Sequence, residues 1–201
     1  RAILSHPRFR AWALLVSGTY AGLFVLLSAS SYAYIGVLGM SPAQYGLAMA
    51  SGSVVYVAGT LVCRRWLLAM GLVRTVQRGA WLTLAGGLGL AACAWQPTPT
   101  LAAVMASHWL YCFGHGIHQP CGQTGVVGPF ARMAGVATAL AGCLTALVAF
   151  CVGLWLGTAL DGSLRALGLG VAAAAVATAA IAWTLVRRHG EAPASAAVAP
   201  T

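Results

Sequence analysis

The residues of this chain best equipped for chemistry lie in one short stretch, HWLYCFGHGIHQ, residues 108–119. At about 100° per helical residue, His108, Tyr111, Cys112, His115, His118 and Gln119 gather on one side. Leu110, Phe113 and Ile117 fall on the other. Imidazole and thiolate are good transition-metal ligands. However, His108 and His115 would stand about 10 Å apart along a helix axis, too far to share an ion. Only His115 and His118, at i and i+3, have workable spacing, and they would need ligands from elsewhere. We therefore expect no metal. A membrane haem needs two histidines facing each other across a bundle, and these three share one segment, so no cofactor is expected either. No Ser/His/Asp set is visible, and the chain does not read as an enzyme. The imidazoles are then left with hydrogen bonding inside a bundle, or with lining a cavity where they bind substrate or exchange protons. For His115 we expect a cavity position, with a stronger hold on the pH dependence of transport than His108.

The elements that must carry these residues are set by composition. Of 201 residues, 60% are hydrophobic and 6% are charged. A soluble domain carries about 25% charged residues, so lipid has to be the solvent for much of this surface. The net charge of +9 does not point to nucleic acid, because the only basic runs are Arg64-Arg65 and Arg187-Arg188. Six cysteines form no Cys-x-x-Cys pair and nearly all lie in apolar segments, as expected of free thiols acting as small hydrophobes. The chain opens on Arg1 rather than Met, which reads as a piece of a longer protein.

A helix crossing about 30 Å of hydrocarbon needs about 20 mostly apolar residues. Six such spans are expected, at about 11–36, 43–63, 73–95, 100–120, 132–158 and 163–186. Residues 1–10 read as the end of a cytoplasmic linker, and 189–201, small and Pro-containing, as a disordered cytoplasmic tail. Breaks are expected at Gly39–Pro42, Trp66–Arg74, Gln96–Pro99, Gly128–Phe130 and Asp161–Ser163. Arg1, Arg8, Arg10, Arg64, Arg65, Arg74, Arg78, Arg132, Arg187 and Arg188 then share one side, and Arg165 alone holds the other. By the positive-inside rule both termini are cytoplasmic. The topology is that of two three-helix units of opposite sense, inverted repeats in an all-α membrane protein.

Four spans carry polar or aromatic stripes. Tyr20, Phe24, Leu27, Ser31 and Tyr34 share a face of the first, and Met49, Ser53, Tyr56 and Thr60 a face of the second. The fourth holds the histidine face. The fifth has Thr138 and Thr145 beside Gly135 and Gly142, small residues expected to let it pack tightly. Spans three and six, rich in Leu, Ala, Val and Gly, look lipid-facing, with Trp81 and Trp183 toward lipid.

Three stretches carry a family resemblance. YAGLFVLLSASSYAYIGVLGMSPAQYGLAMASGSVVYVAGT (Tyr20–Thr60) resembles the start of the C-terminal half of major facilitator superfamily transporters, and more narrowly of the bicyclomycin/chloramphenicol-resistance (Bcr/CflA) drug-efflux subfamily. CRRWLLAMGLVRTVQRG (Cys63–Gly79) is similar to that family's loop between its eighth and ninth helices. HGIHQPCGQTGVVGPFARMAGVATALAG (His115–Gly142) is similar to its tenth-to-eleventh helix junction. The resemblance implies that the six spans are helices seven to twelve of a twelve-helix fold, and that spans one, two, four and five line a central cavity. The superfamily's loop motif Gly-x-x-x-Asp-Arg-x-Gly-Arg-Arg has a counterpart here that keeps Arg64, Arg65, Gly71 and Arg74 but no Asp.

The expected function is secondary active transport, proton-coupled efflux of small amphipathic drugs across a bacterial inner membrane. The partners are then a small-molecule substrate, the lipid bilayer and an N-terminal six-helix half. Tyr20, Phe24, Ser31, Tyr34, Ser53, Tyr56, Tyr111, His115 and Gln119 are the expected substrate-binding residues. No Asp or Glu lies inside a span, so a proton carrier would be a histidine or a group outside this chain. An uptake transporter for a small polar solute, or a self-contained six-helix structural protein, are the alternatives.

Overall fold

The computed structural model describes residues 2–191; the expected tail lies outside the described residues from 192 on. Among the described residues there are helices and no strands. The order is α1 (Ala2–Ser5), α2 (Pro7–Ser31), a π-helical segment Tyr32–Val37, α3 (Pro42–Ala94), α4 (Leu101–Val127), a 3-10 segment Gly128–Met133, α5 (Ala134–Ala159), α6 (Arg165–Ile181), a second π segment Ala182–Val186, and α7 (Arg187–His189). Four continuous apolar segments are long enough to cross a membrane: Pro7–Val37, Pro42–Ala94, Leu101–Ala159 and Arg165–His189.

Local chemistry explains the ends. Before α3, Gly39 takes φ 69°. Ser41 then caps the helix: its hydroxyl accepts from the Gln44 amide at 3.2 Å, and Gln44 Oε1 accepts from the Ser41 amide at 2.8 Å. Pro42 follows at the first helical position, where a missing N–H costs nothing. Thr100 caps α4 through the Ala103 amide. Between α5 and α6, the Asp161 carboxylate accepts from the Ser163 hydroxyl at 2.6 Å and from its amide at 3.1 Å.

Several expected boundaries move, and α2 already starts at Pro7, inside the expected linker. Trp66–Arg74 was read as a break, yet only Gly71 leaves helical geometry, at φ 79° and ψ 176°. That region is cheap for glycine alone, so one residue bends α3 into arms 42–70 and 72–94 where a loop was expected. The fourth span was expected to stop at 120, yet α4 runs through Pro120 to Val127. Proline cannot donate to the carbonyl four residues back. The Thr60 hydroxyl of α3 is shared between the Tyr56 carbonyl of its own helix at 3.1 Å and that Gly116 carbonyl at 3.2 Å, which gives the carbonyl freed by the proline a donor. At the C-terminal end, order continues past 188: the Trp12 indole donates to the Gly190 carbonyl at 3.2 Å, and Gly190 is buried.

In the bundle, α3 packs along α4 and against α6, and α2 packs against α4, α5 and α6. One apolar cluster includes Phe9, Trp12, Leu15, Val76, Ile117 and Val126; a second includes Val25, Leu26, Tyr34, Leu90, Tyr111 and Leu167. Buried hydroxyls turn back to their own helices, as Thr83 does to Gly79, Ser107 to Ala103 and Thr178 to Ala174. The expectation for the sixth span is corrected: Gly168, Gly170, Val171, Ala175 and Thr178 of α6 are all buried. Its small residues permit close approach to α3 and α2 rather than marking a lipid face. The open faces belong instead to the first arm of α3, with Leu47, Val54 and Leu61 exposed, and to α5, with Leu147, Phe150 and Leu154 exposed. At Gly135 and Gly142 of α5 a methyl group would meet nothing within 4 Å, so these glycines do not pack tightly here.

Candidate functional site

The open side of the bundle holds a cavity of two adjoining lobes. The first, about 420 Å³, lies between α2, the first arm of α3, and α4; Tyr20, Met49, Ser53, Tyr56, His108, Cys112, His115 and Gln119 line it. The second, about 850 Å³, lies between α2, α4 and α5, with Phe24, Gln123, Thr145 and Phe150 on its walls. Tyr20 and Gln119 border both. Each volume falls in the range of about 300–1,000 Å³ typical of small-molecule pockets.

Close backbone approach shapes the first lobe. Gly52 of α3 faces His108 so tightly that a methyl group there would stand 2.8 Å from the ring Nε2. Gly116 of α4 lies against the Tyr56 carbonyl with no room for a side chain. This contact brings the Tyr56 ring over His115, with ring centroids 5.6 Å apart at 37°. The other edge of His115 is held from α2, where Nδ1 and the Thr19 hydroxyl are 3.0 Å apart. His108 is held in the same way: its Nδ1 lies 2.7 Å from the Tyr34 hydroxyl. Both imidazoles border the cavity with one edge fixed in protein. Between α2 and α5, the Ser17 and Thr145 hydroxyls meet at 3.1 Å beside the second lobe.

Of the nine expected site residues, Tyr20, Phe24, Ser53, Tyr56, His115 and Gln119 line the cavity. Ser31, Tyr34 and Tyr111 do not. Ser31 is exposed beyond the first lobe. Tyr34 falls in the π segment, whose i→i+5 bonding widens the turn; its ring swings inward to full burial against His108. Tyr111 lies about 60° around α4 from His108, which turns it into the core. Its hydroxyl donates to the Thr19 carbonyl at 2.9 Å.

His118, about 80° around from His108, is likewise fully buried, with its ring against Gly79 of α3. The polar stripe of α4 therefore divides: His108, Cys112, His115 and Gln119 face the cavity, while Tyr111 and His118 face the bundle. Among the described residues, no group of three or more His, Cys, Asp or Glu side chains could hold a metal ion.

Thr19 is the residue that pattern reading passed over. It sits on the core side of α2, about 100° from Tyr20, and a lone buried threonine carries no periodic signal. His108 and Cys112 stand in the expected stripe, but sequence reading did not give them a binding role. Phe150 is a single aromatic in the apolar run ALVAFCVGL of α5, with no periodic polar signal around it.

No family model, no curated protein and no solved structure matches this chain.

Proposed function

We propose that the chain is the C-terminal half of a twelve-helix secondary transporter of major facilitator type, resembling the Bcr/CflA drug-efflux group. It would move small amphipathic molecules outward across the bacterial inner membrane in exchange for protons. The observation that carries this reading is the two-lobed cavity between α2, α3, α4 and α5. Its walls combine the flat rings of Tyr20, Phe24 and Tyr56 with a few separated polar groups, Ser53, His115 and Gln119. That mixture accepts varied amphipathic guests and rejects none by a fixed charge.

In this reading α3 serves as two spans joined at Gly71. A straight helix of its 53 residues would run about 80 Å, against a hydrocarbon core of about 30 Å. The segment Leu101–Ala159 serves as two spans joined through Gly128–Met133. Six spans then form two inverted three-helix units, with both termini on the arginine-rich cytoplasmic side. The exposed faces of α3 and α5 and the open glycines of α5 leave a wall for the second six-helix half. With no carboxylate in a span, proton exchange would fall to His115 or to a group of that other half.

The test is equilibrium binding of a rhodamine dye to the chain reconstituted in lipid nanodiscs. Removing one aromatic wall, in Tyr20→Ala or Tyr56→Ala, is expected to weaken binding about tenfold, from a stacking contribution of about 1–1.5 kcal/mol. Trp81→Ala, outside the cavity, is expected to leave it unchanged. Equal dye affinity in all three folded variants would overturn the cavity reading. A cytoplasm-dependent reporter fused after Arg188 is expected to be active; a signal only from a periplasm-dependent reporter would reverse the topology.

A further inference from the structure

Away from the cavity, on the outer face of the bundle, the second arm of α3 and the end of the last helical segment form a cleft of about 440 Å³. Arg74, Gln77, Arg78 and Trp81 line one side, and Trp183 and Arg187 the other. On α3 these residues follow an i, i+3, i+4, i+7 spacing, so they share one helical face. Arg187 stands one turn beyond Trp183. The two indoles meet with centroids 4.6 Å apart at 47°. The Trp183 indole N–H is already used, donating to the Gln77 carbonyl at 3.3 Å. Trp81 is 64% exposed. The cleft is therefore cationic at one end, with an apolar floor of two indoles in tilted contact at the other.

Among the described residues, the three guanidinium groups of Arg74, Arg78 and Arg187 line this cleft and no carboxylate does. The whole chain has two acidic residues. Asp161 sits in the turn before α6, and Glu191 lines a neighbouring cleft with Arg8, Arg187 and Arg188, so Arg187 stands between the two clefts. Arg74 and Arg78 are like charges at i and i+4, which repel on an isolated helix. An arrangement of this kind is relieved by an anion, and the fork of a guanidinium suits a phosphate. Tryptophan beside arginine is the pairing expected at the level of lipid headgroups.

We propose that this cleft is a binding site for an anionic phospholipid such as phosphatidylglycerol. The phosphate sits among Arg74, Arg78 and Arg187, and an acyl chain lies over the Trp81–Trp183 pair. The site rests only on the chain lying in a bilayer and stands whether or not the chain transports anything. It differs from a diffuse attraction of basic ends to anionic membranes because two helices more than a hundred residues apart in sequence build it, and because it includes an apolar wall.

Native mass spectrometry of the full chain in detergent tests it, with phosphatidylglycerol, phosphatidylcholine and inorganic phosphate as separate probes. Phosphatidylglycerol is expected to persist as a discrete adduct where phosphatidylcholine of the same acyl length does not. At about fivefold per arginine near an anionic surface, the triple variant R74Q/R78Q/R187Q is expected to lose about a hundredfold in affinity. Each side chain is exposed, so folding is unaffected. R188Q and R165Q are expected to stay within about twofold of the parent, as charges outside the cleft. Trp81→Ala is expected to weaken phospholipid retention. Equal retention of both lipids, or equal losses in R188Q and the triple variant, would reduce the site to diffuse charge and overturn it. Displacement of the lipid by inorganic phosphate, with no effect of Trp81→Ala, would mark a site for free phosphate and also overturn it.

Discussion

The hold that α2 keeps on His115 can be measured. The Thr19 hydroxyl and His115 Nδ1 lie 3.0 Å apart, and both residues are buried, at 0% and 2% exposure. Thr19→Val keeps the shape of the side chain and deletes the hydroxyl. It leaves a ring nitrogen unpaired inside the bundle, a loss of about 1–3 kcal/mol in protein interiors. His115→Ala removes the same bond, but also the packing of the imidazole on the Tyr56 ring. The hydroxyl it strands can turn to the Leu15 carbonyl one turn back. The single variants are therefore unequal, and only the double-mutant cycle isolates the bond. Bonds between membrane helices measured in this way average about 0.6 kcal/mol and reach about 1.7. Full burial of both partners places this one near 1 kcal/mol, about fivefold in the unfolding equilibrium. The assay is reversible unfolding in mixed micelles titrated with a denaturing detergent, for the parent, both single variants and the double variant. Thr19 does not line the cavity, so in the same samples any change in dye affinity on Thr19→Val reports release of the imidazole edge. Single-variant effects that add within about 0.3 kcal/mol would refute the bond.

Cys63 of α3 and Cys121 of α4 are free, buried, and 3.4 Å apart at sulfur; diamide is expected to close them into an intrachain disulfide, seen as the loss of two thiols, and a Cys63→Ser or Cys121→Ser chain that still loses two thiols would contradict the contact. Thr60→Val is expected to destabilise the chain by about 1 kcal/mol, because it strands the Gly116 carbonyl that Pro120 cannot serve; unchanged unfolding would show that the carbonyl is satisfied elsewhere. Gly116→Leu is expected to force α3 away from α4 and to cost about 1–3 kcal/mol or more, read as loss of folded protein in the same titration. In the Asp161 turn, the Ser163 side chain holds the carboxyl below the usual carboxylate range. Its contribution to stability is thus present above the ordinary carboxylate pKa and lost as pH falls through the depressed value. Ser163→Ala is expected to raise the midpoint of an Asp161 carbon-shift titration, and an unmoved midpoint would count against the bond.

The apolar segments and most of their ends were legible because they rest on composition and on short-range chemistry. Ser41, Pro42 and Gln44 make their cap with one another, as do Asp161 and Ser163 their turn. The boundaries that moved depend on partners distant in sequence. Pro120 reads as a helix end unless Thr60 of α3 is known to serve the orphaned carbonyl. The loop expected at Trp66–Arg74 shrank to Gly71, because the helical residues on either side have no other reason to stop. The roles of α6 and α5 were exchanged for a related reason. Alanine and glycine in a membrane helix serve equally for close packing and for a lipid face, and sequence alone does not say which neighbour arrives.

The candidate site shows where projection on a regular helix stops working. Tyr20, Phe24, Ser53, Tyr56, His115 and Gln119 reached the cavity because α2, α3 and α4 keep about 100° per residue across those positions. Tyr34 left it at the π segment, where that angle no longer holds. Tyr111 and His118 were lost for a finer reason. A stripe about 120° wide cannot all face a cavity when glycines of α3 press against the same helix. One edge of the stripe, Tyr111 and His118, is drawn into the core, and the other side, His108, Cys112, His115 and Gln119, stays at the wall. The same contact fixes the chemistry that remains. With Gly52 against His108 and Gly116 against Tyr56, the imidazoles have no room to swing, and Tyr34 and Thr19 hold their inner nitrogens. Each ring then offers the cavity a single polar edge of set direction. Under the proposed function, that is a sparse and rigid polar component, and adaptability to varied guests would fall to the flexible thioether of Met49 and the aromatic rings of Tyr20 and Phe24.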